Sequence, residues 1–149
     1  MSEETENEVV LDPKVEALAQ IEGVSADDID DEGDNEYGIG KRSYLVLTDE
    51  EADERVKVYI EELLWAFNSG FIESETGING LGDLLDAAKD RCEGLNDAIS
   101  GIVESTCGIE KFASDAVDAD GRGHFIAPYD FEERDVEVRG ETFYIYRKN

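Results

Sequence analysis

Histidine is the side chain that titrates near neutral pH, and this sequence contains only one, His124. A general acid–base role would therefore fall to His124 if the protein has such a role. No evident nucleophile lies beside it in the sequence. We expect a partly buried histidine in a short strand over residues 124–126. A small enzyme or ligand-binding site around residues 118–129 remains as an alternative.

A pair of aspartates before His124 has part of the pattern of a calcium-binding loop. Asp118 and Asp120 precede Gly123, as in an EF-hand. Counted from Asp118, however, Arg122 stands at the fifth position and Tyr129 at the twelfth, where a bidentate glutamate is needed. Two ligands are missing, so we predict an acidic turn before a strand and no metal site.

Neither the cysteines nor the glycine-rich segment carries a recognisable chemistry. Cys92 and Cys107 have neither zinc-site spacing nor the several pairs of a disulfide scaffold, so we expect reduced, inert thiols. The spacing of Gly77, Gly80 and Gly82 lacks the strand before it and the lysine or acid after it that a phosphate-binding loop requires. We predict a flexible connector, no cofactor and no catalytic residue.

The densest charge in the sequence lies between positions 27 and 36. Such a run is typical of a solvated loop, and we predict an acidic loop around residues 27–36. If the carboxylates are held in place, they can also present a negative potential that resembles a nucleic-acid backbone and attracts a basic protein. The candidate partner-binding residues are Asp27, Asp28, Asp30, Asp31, Glu32, Asp34 and Glu36.

A second candidate contact lies on the best-defined helix. Val58 and Trp65 are seven residues apart, away from the main apolar stripe, and form a narrower apolar line beside Glu62. Either another element covers this line, or Trp65 is an exposed aromatic anchor of the kind that dominates protein interfaces. Glu62 and Trp65 therefore join the candidate partner-binding residues.

Local signals predict an α+β fold that places these residues. Thr48 and Glu51 form a capping box for a long helix over residues 49–68, and a second helical region follows over residues 81–105, as one bent helix or two short ones. Alternating apolar residues predict hairpins near 37–47 and 135–147, which we expect to form a small antiparallel sheet packed against the helices. A short helix beginning at Asp12-Pro13 precedes them. Residues 1–10 are predicted to be a disordered acidic arm, and residues 11–149 a single domain.

The overall charge narrows the range of partners. The 149 residues include 39 acidic and 13 basic side chains, for a formal net charge of −26. Such a surface repels nucleic-acid phosphates and anionic lipids, so neither is expected as a direct partner. Because the sequence has no basic and apolar leader and no apolar run of about 18 residues, we expect a cytoplasmic protein.

Two stretches of the sequence resemble small, uncharacterised acidic proteins of tailed bacteriophages and related mobile elements. The first comprises residues 44–54 with the Leu64-Trp65-Ala66-Phe67-Asn68 segment, and the second runs from Asp120-Gly121-Arg122-Gly123-His124-Phe125 through Tyr129-Asp130 to the closing Tyr144-Ile145-Tyr146-Arg147. The likeness spans most of residues 17–149. It implies a phage-type accessory protein acting inside an infected bacterium. It gives no activity, cofactor or catalytic residue to transfer to this chain.

Four functional hypotheses remain. The leading one is a non-enzymatic acidic protein that inhibits or modulates a basic, nucleic-acid-binding host protein, with nucleic-acid mimicry as one mechanism. The others are an enzyme or ligand-binding domain that uses the His124 region, a protein whose acidity is an adaptation to high salt, and an assembly component. Pull-down at low and high salt separates the first from the rest, because binding by an acidic surface weakens as salt rises.

Overall fold

The computed structural model describes residues 12–89, 91 and 93–149, and confirms the α+β class. Within these residues there are seven α-helices: α1 Pro13–Glu22, α2 Asp49–Glu62, α3 Ser69–Thr76, α4 Leu81–Ala88, α5 Leu95–Ser105, α6 Ile109–Asp120 and α7 Arg122–Ile126. Five strands form one antiparallel sheet: β1 Asp30–Gly33, β2 Glu36–Ile39, β3 Arg42–Leu47, β4 Arg134–Val138 and β5 Glu141–Arg147. The predicted arm, residues 1–10, lies outside the described residues.

The chain divides into two compact units. One, which we call the sheet unit, contains the described residues up to Ala52 together with Ile126–Asn149. The other, the helical unit, is Asp53–Phe125. The prediction of a single domain over residues 11–149 stays a prediction.

The sheet unit is built on the strand order β1-β2-β3-β5-β4. Both predicted hairpins are confirmed: β2 turns into β3 at Gly40, and β4 turns into β5 at Arg139-Gly140, where φ is 53° and 84°. On β5, Phe143 and Ile145 face a core that α1 covers with Ala17 and Leu18. The central pairs of the register are Val46 with Ile145 and Tyr37 with Tyr44.

Helix α1 forms as the sequence predicts. The Asp12 carboxylate accepts a hydrogen bond from the Lys14 amide at 2.9 Å, Pro13 occupies the first helical position, and Gly23 ends the helix at φ 70°. The capping box of α2 is also confirmed, since the Glu51 amide donates to Thr48 Oγ1 and the Thr48 amide donates to Glu51 Oε1. Local side-chain chemistry thus sets both helix starts.

Helix α2 is shorter than predicted, and a helix that the sequence did not predict lies between α2 and α4. Instead of running to residue 68, α2 ends at Glu62 and is followed by a 3-10 turn over Leu64–Ala66. Asn68 then caps a new helix, α3, by accepting from the amides of Gly70 and Phe71. Helix α3 runs to Thr76 and α4 begins at Leu81, so the glycine-rich connector is limited to the residues between them.

Two further predictions are corrected. Residues 124–126 lie in α7 and not in a strand, and Asp118 and Asp120 lie in α6 and not in a turn. Gly121, at φ 86°, ends α6, and the chain restarts as a helix at Arg122. A run as short as His-Phe-Ile has no periodicity that separates strand from helix. The helical region 81–105 is resolved as two helices, α4 and α5, one of the two arrangements expected.

We expect Tyr37 to lower the stability of the sheet unit in alkaline solution. Burial, then the negative charges of Asp12, Asp31 and Glu51, raise the pKa of Tyr37 to about 12. An unfolded tyrosine ionises near pH 10, so between about pH 10 and 12 the unfolded chain loses a proton that the folded chain keeps, and stability falls. We expect Tyr37→Phe to lose less stability than the wild type between about pH 9 and pH 11, measured by urea unfolding. Tyr129→Phe, at an exposed tyrosine, is the control, and equal losses in all three proteins would contradict the assignment.

Candidate functional site

The acidic run is not a loop throughout. It begins with a 3-10 turn over Ala26–Asp28, capped by Ser25, and continues as strand β1. β1 and β2 are joined by Asp34 and Asn35, with φ of 56° and 64°, a pair of left-handed residues typical of a type I′ hairpin turn. We call β1, β2 and this turn the acidic hairpin. Gly-Asp-Asn is the turn signal that could have revealed β1 in the sequence, had the acidic composition not favoured a loop.

Two lysines hold the acidic hairpin at its turn end. Lys14 Nζ donates to Asn35 Oδ1 at 2.7 Å and pairs with Glu51 at the same distance. Lys148 pairs with Glu36 at 2.9 Å. The Val46 amide also donates to the Asn35 carbonyl at 3.1 Å. These contacts fix the turn and β2 against α1 and β3, so β1 is the edge strand of a well-anchored sheet.

The carboxylates of β1 are exposed and occupy both faces of the edge strand. Asp30 lies opposite Gly38, Asp31 lies opposite Tyr37, and the register shifts between Asp31 and Gly33. The Glu32 carboxylate lies over Gly38, at a place that a side chain on Gly38 would occupy. β1 therefore presents three successive acidic residues in fixed positions.

The hairpin's negative charge is largely unneutralised. Within the described part of the chain, no Lys or Arg forms an ion pair with the following exposed acids: Asp27, Asp28, Asp30, Asp31 and Glu32. Asp34 is exposed at the turn, and Glu36 is half-buried in its pair with Lys148. Six of the seven predicted acids are thus exposed together on one turn and one hairpin, and Glu36 helps to anchor them.

Glu62 is the last residue of α2 and Trp65 lies in the 3-10 turn that follows, so the predicted apolar line of Val58 and Trp65 along one helix is wrong. Glu62 is exposed, Val58 is 40% exposed and Trp65 is 48% exposed, so both apolar side chains are partly accessible. The Asn96 side chain fixes this segment: its amide group donates to the Glu61 carbonyl at 2.9 Å, and its oxygen accepts from the Trp65 amide at 3.0 Å. Trp65 therefore sits on a defined backbone with about half of its ring accessible.

Sequence reasoning missed a cavity of about 430 Å³ inside the helical unit. Phe67 is the centre of its wall, with ring centroids 5.8 Å from Phe71 and 6.1 Å from Phe125 in stacked arrangements. Behind them the buried Phe112 packs edge-on against Phe67 at 5.1 Å and Phe71 at 5.2 Å. Tyr59, 6.4 Å from Phe125, adds a fifth ring. We call this the aromatic cavity, and its small residues Ala66, Ala116 and Ala119 leave its interior open.

Polar groups complete the lining of the aromatic cavity. Asn68, Asp120 and His124 all contribute to it. The Asn68 oxygen is engaged in capping α3, so its amide hydrogens are the groups that remain for a ligand. His124 is exposed and lies edge-on to Phe125 with centroids 4.9 Å apart. An apolar concave site with a few polar groups is the usual form of a small-molecule site.

The cavity bears on the alternative hypothesis for His124. That hypothesis requires an accessible histidine beside a pocket, and His124 meets both conditions. Among the described residues that line the cavity, however, there is no Ser, Thr or Cys to act as a nucleophile. The arrangement can bind and orient a ligand through rings and hydrogen bonds. That the protein is not an enzyme stays a prediction.

The remaining motifs add no site. Over the described residues, no group of three or more His, Cys, Asp or Glu side chains is placed to hold a metal ion. Cys107 is a half-buried free thiol, and Cys92 lies outside the described residues. Gly77 ends α3 and Gly80 precedes α4, as expected of a connector, but Gly82 is buried within α4 and does not belong to it. In the same described part, no helix is long and apolar enough to cross a bilayer.

Comparisons of the chain with family models, with curated proteins and with solved structures give no match. The resemblance to phage proteins therefore stays a prediction.

Proposed function

We propose that this chain is a non-enzymatic acidic binding protein that occupies a positively charged groove on a nucleic-acid-binding protein. The observation that carries the proposal is the acidic hairpin, which holds exposed carboxylates on an anchored edge strand. A mobile acidic loop would pay an ordering cost on binding, whereas a preformed hairpin pays little. The hairpin is therefore a better ligand for a basic groove than its composition alone suggests.

The spacing of the hairpin's charges supports mimicry of a nucleic-acid strand. A β-strand rises about 3.3 Å per residue, so Asp30, Asp31 and Glu32 follow one another along the backbone at about that spacing, and the register shift after Asp31 interrupts their alternation between the two faces. One strand of duplex DNA carries one charge per about 3.4 Å of helix axis. A groove whose basic residues are spaced for phosphates can therefore engage the hairpin in similar register.

The setting of this binding belongs to the same proposal. The resemblance to phage proteins favours a host nuclease, polymerase or defence protein as the target. Binding would take place in the cytoplasm of an infected bacterium and would inhibit that target. Trp65, with Glu62 beside it, would be a second contact, since an accessible tryptophan on a fixed backbone is suited to anchor an interface. The strongly negative net charge would accelerate association with a basic partner.

The test compares two variants of equal charge. Asp30→Asn/Asp31→Asn/Glu32→Gln removes three charges from β1, and Asp83→Asn/Glu104→Gln/Asp118→Asn removes three exposed charges from the helical unit. The immobilised full chain should capture a basic protein from bacterial lysate at about 50 mM salt, release it at about 500 mM, and release it to a competing DNA duplex. We expect the β1 variant to bind the captured protein about 10-fold or more weakly, and the control variant to bind nearly as the wild type does.

Three results would contradict the proposal. Capture that ignores salt would exclude an electrostatic contact, and capture that DNA does not compete would exclude occupation of a nucleic-acid groove. Equal weakening in both variants would mean that net charge, and not the hairpin, drives the association. A Trp65→Ala variant tests the second contact separately, because it changes no charge.

A further inference from the structure

We infer that the aromatic cavity binds a small ammonium ion with an apolar body. The cavity volume of about 430 Å³ lies in the range of small-molecule sites. Four of its lining residues are aromatic: Tyr59, Phe67, Phe71 and Phe125. Such a wall favours a flat or branched apolar group of limited size. The inference is independent of the acidic hairpin.

The charge of the ligand follows from the cavity's surroundings. Aromatic ring faces carry partial negative charge and attract cations. Among the lining residues that the structure describes, Asp120 is the one carboxylate, and it lies at the last position of α6, where the helix dipole also places negative potential. Among the described lining residues there is no Lys or Arg to attract an anion. The net charge of −26 further favours a cation over an anion.

Neutral apolar ligands are the nearest competitors, and the rim of the cavity argues against them. A purely apolar ligand would use the rings and leave Asn68, Asp120 and His124 without a contribution. An ammonium group can donate hydrogen bonds to the Asp120 carboxylate while its apolar body packs on Phe67 and Phe125. An ammonium group therefore uses both the rings and the Asp120 carboxylate, which a purely apolar ligand cannot do.

The test uses three probes that share one ring and differ in charge: 2-phenylethylamine, 2-phenylethanol and 3-phenylpropionate. Each is titrated at matched ionic strength into the ¹⁵N-labelled full chain, and binding is followed by amide chemical shifts in the helical unit. For the amine and the alcohol, each of about nine non-hydrogen atoms, the expected dissociation constant is about 1 mM. We expect the amine to bind about five-fold more tightly than the alcohol, and the carboxylate to bind most weakly.

Matched variants test whether Asp120 contacts the ligand's charge and whether the ligand lies in the cavity. Asp120→Asn should weaken amine binding about five-fold and leave the alcohol unchanged, whereas Asp118→Asn, an equal charge loss on the same helix but outside the lining, should affect neither. Ala119→Leu, which adds bulk from a helix position that tolerates leucine, should weaken both probes. Because Asp120→Asn removes a negative charge from a helix C-terminus, it should not unfold the protein, and circular dichroism checks this.

Three results would overturn the inference that the cavity binds an ammonium ion. If no probe shifts amides of the cavity residues at about ten times the expected dissociation constant, the cavity is not a site for this class. If the alcohol or the carboxylate binds as tightly as the amine, the ligand is not a cation. If Asp118→Asn and Asp120→Asn weaken the amine equally, the effect is general electrostatics and Asp120 is not part of the site.

Discussion

Phe112→Ala should destabilise the protein by about 3 to 5 kcal/mol, the largest loss that we expect from a single substitution. Phe112 is fully buried in α6 and packs edge-on against Phe67 and Phe71. The substitution removes the apolar surface of one ring and two edge-to-face contacts, and leaves a void that neighbouring rings cannot close without moving. Against a typical total stability of about 5 to 15 kcal/mol, this is a large fraction.

Urea unfolding followed by circular dichroism and by Trp65 fluorescence measures the effect of Phe112→Ala. Leu84→Ala is the control, since Leu84 is 64% exposed in the same unit and its truncation should cost less than about 0.5 kcal/mol. Phe112→Leu should fall between them, because it retains most of the volume and loses the ring contacts. Similar midpoints for Phe112→Ala and Leu84→Ala would show that the aromatic cluster does not hold the helical unit together.

The parts of the fold that the sequence predicted depend on residues close together in the chain. Thr48 and Glu51 are three residues apart, Asp12 and Lys14 two, and Arg139-Gly140 forms its turn alone. Each of these two helix caps and this turn has a recognisable pattern of residue types, and the structure confirms its position. The end of α2 has no such signature, because the group that satisfies its last backbone atoms is Asn96, more than 30 residues away.

The two candidate sites also differ in how much of each could be predicted from the sequence. The acidic run was visible as charge, but its conversion into a strand depends on Lys14, Lys148 and the left-handed turn at Asp34-Asn35. The aromatic cavity could not be predicted, because its walls come from segments between Tyr59 and Phe125 that meet only through folding. The one local indication of an aromatic cluster was the pair Phe67 and Phe71, four residues apart. The small residues Ala116 and Ala119, which leave the cavity open, come much later in the chain.

Glu22→Gln should destabilise the sheet unit by about 2 kcal/mol. Glu22, at the end of α1, is 12% exposed and meets two arginines from different strands: Arg134 on β4 at 3.1 Å and Arg42 on β3 at 3.5 Å. Removing the carboxylate charge leaves two guanidinium groups facing each other across its place. Because these arginines are 35% and 41% exposed, water compensates them in part, and we expect less than the about 3 to 5 kcal/mol lost from a fully buried pair.

The control for Glu22→Gln lies one and a half turns earlier on the same helix. Glu16 pairs with Arg139 at 2.7 Å, but both side chains are about one-third to one-half exposed, so Glu16→Gln should cost less than about 0.5 kcal/mol. A double-mutant cycle with Arg134→Met measures how much of the Glu22 effect arises from that pair. No coupling in this cycle, or equal losses for Glu16→Gln and Glu22→Gln, would contradict the assignment.

Tyr44 supplies a second, independent readout of the same cluster. Burial, followed by the negative charge of Glu22, raises the pKa of Tyr44. Replacing Glu22 by glutamine removes the second cause, so the Tyr44 phenol should ionise at lower pH in Glu22→Gln than in the wild type. A folded-state pKa above the unfolded value lowers stability as pH rises past the unfolded value, so the variant should lose less of its remaining stability in alkaline solution. Ultraviolet titration of tyrosinate, with Tyr44→Phe to identify the signal, checks the shift; an unchanged titration would show that the Glu22 charge does not act on Tyr44.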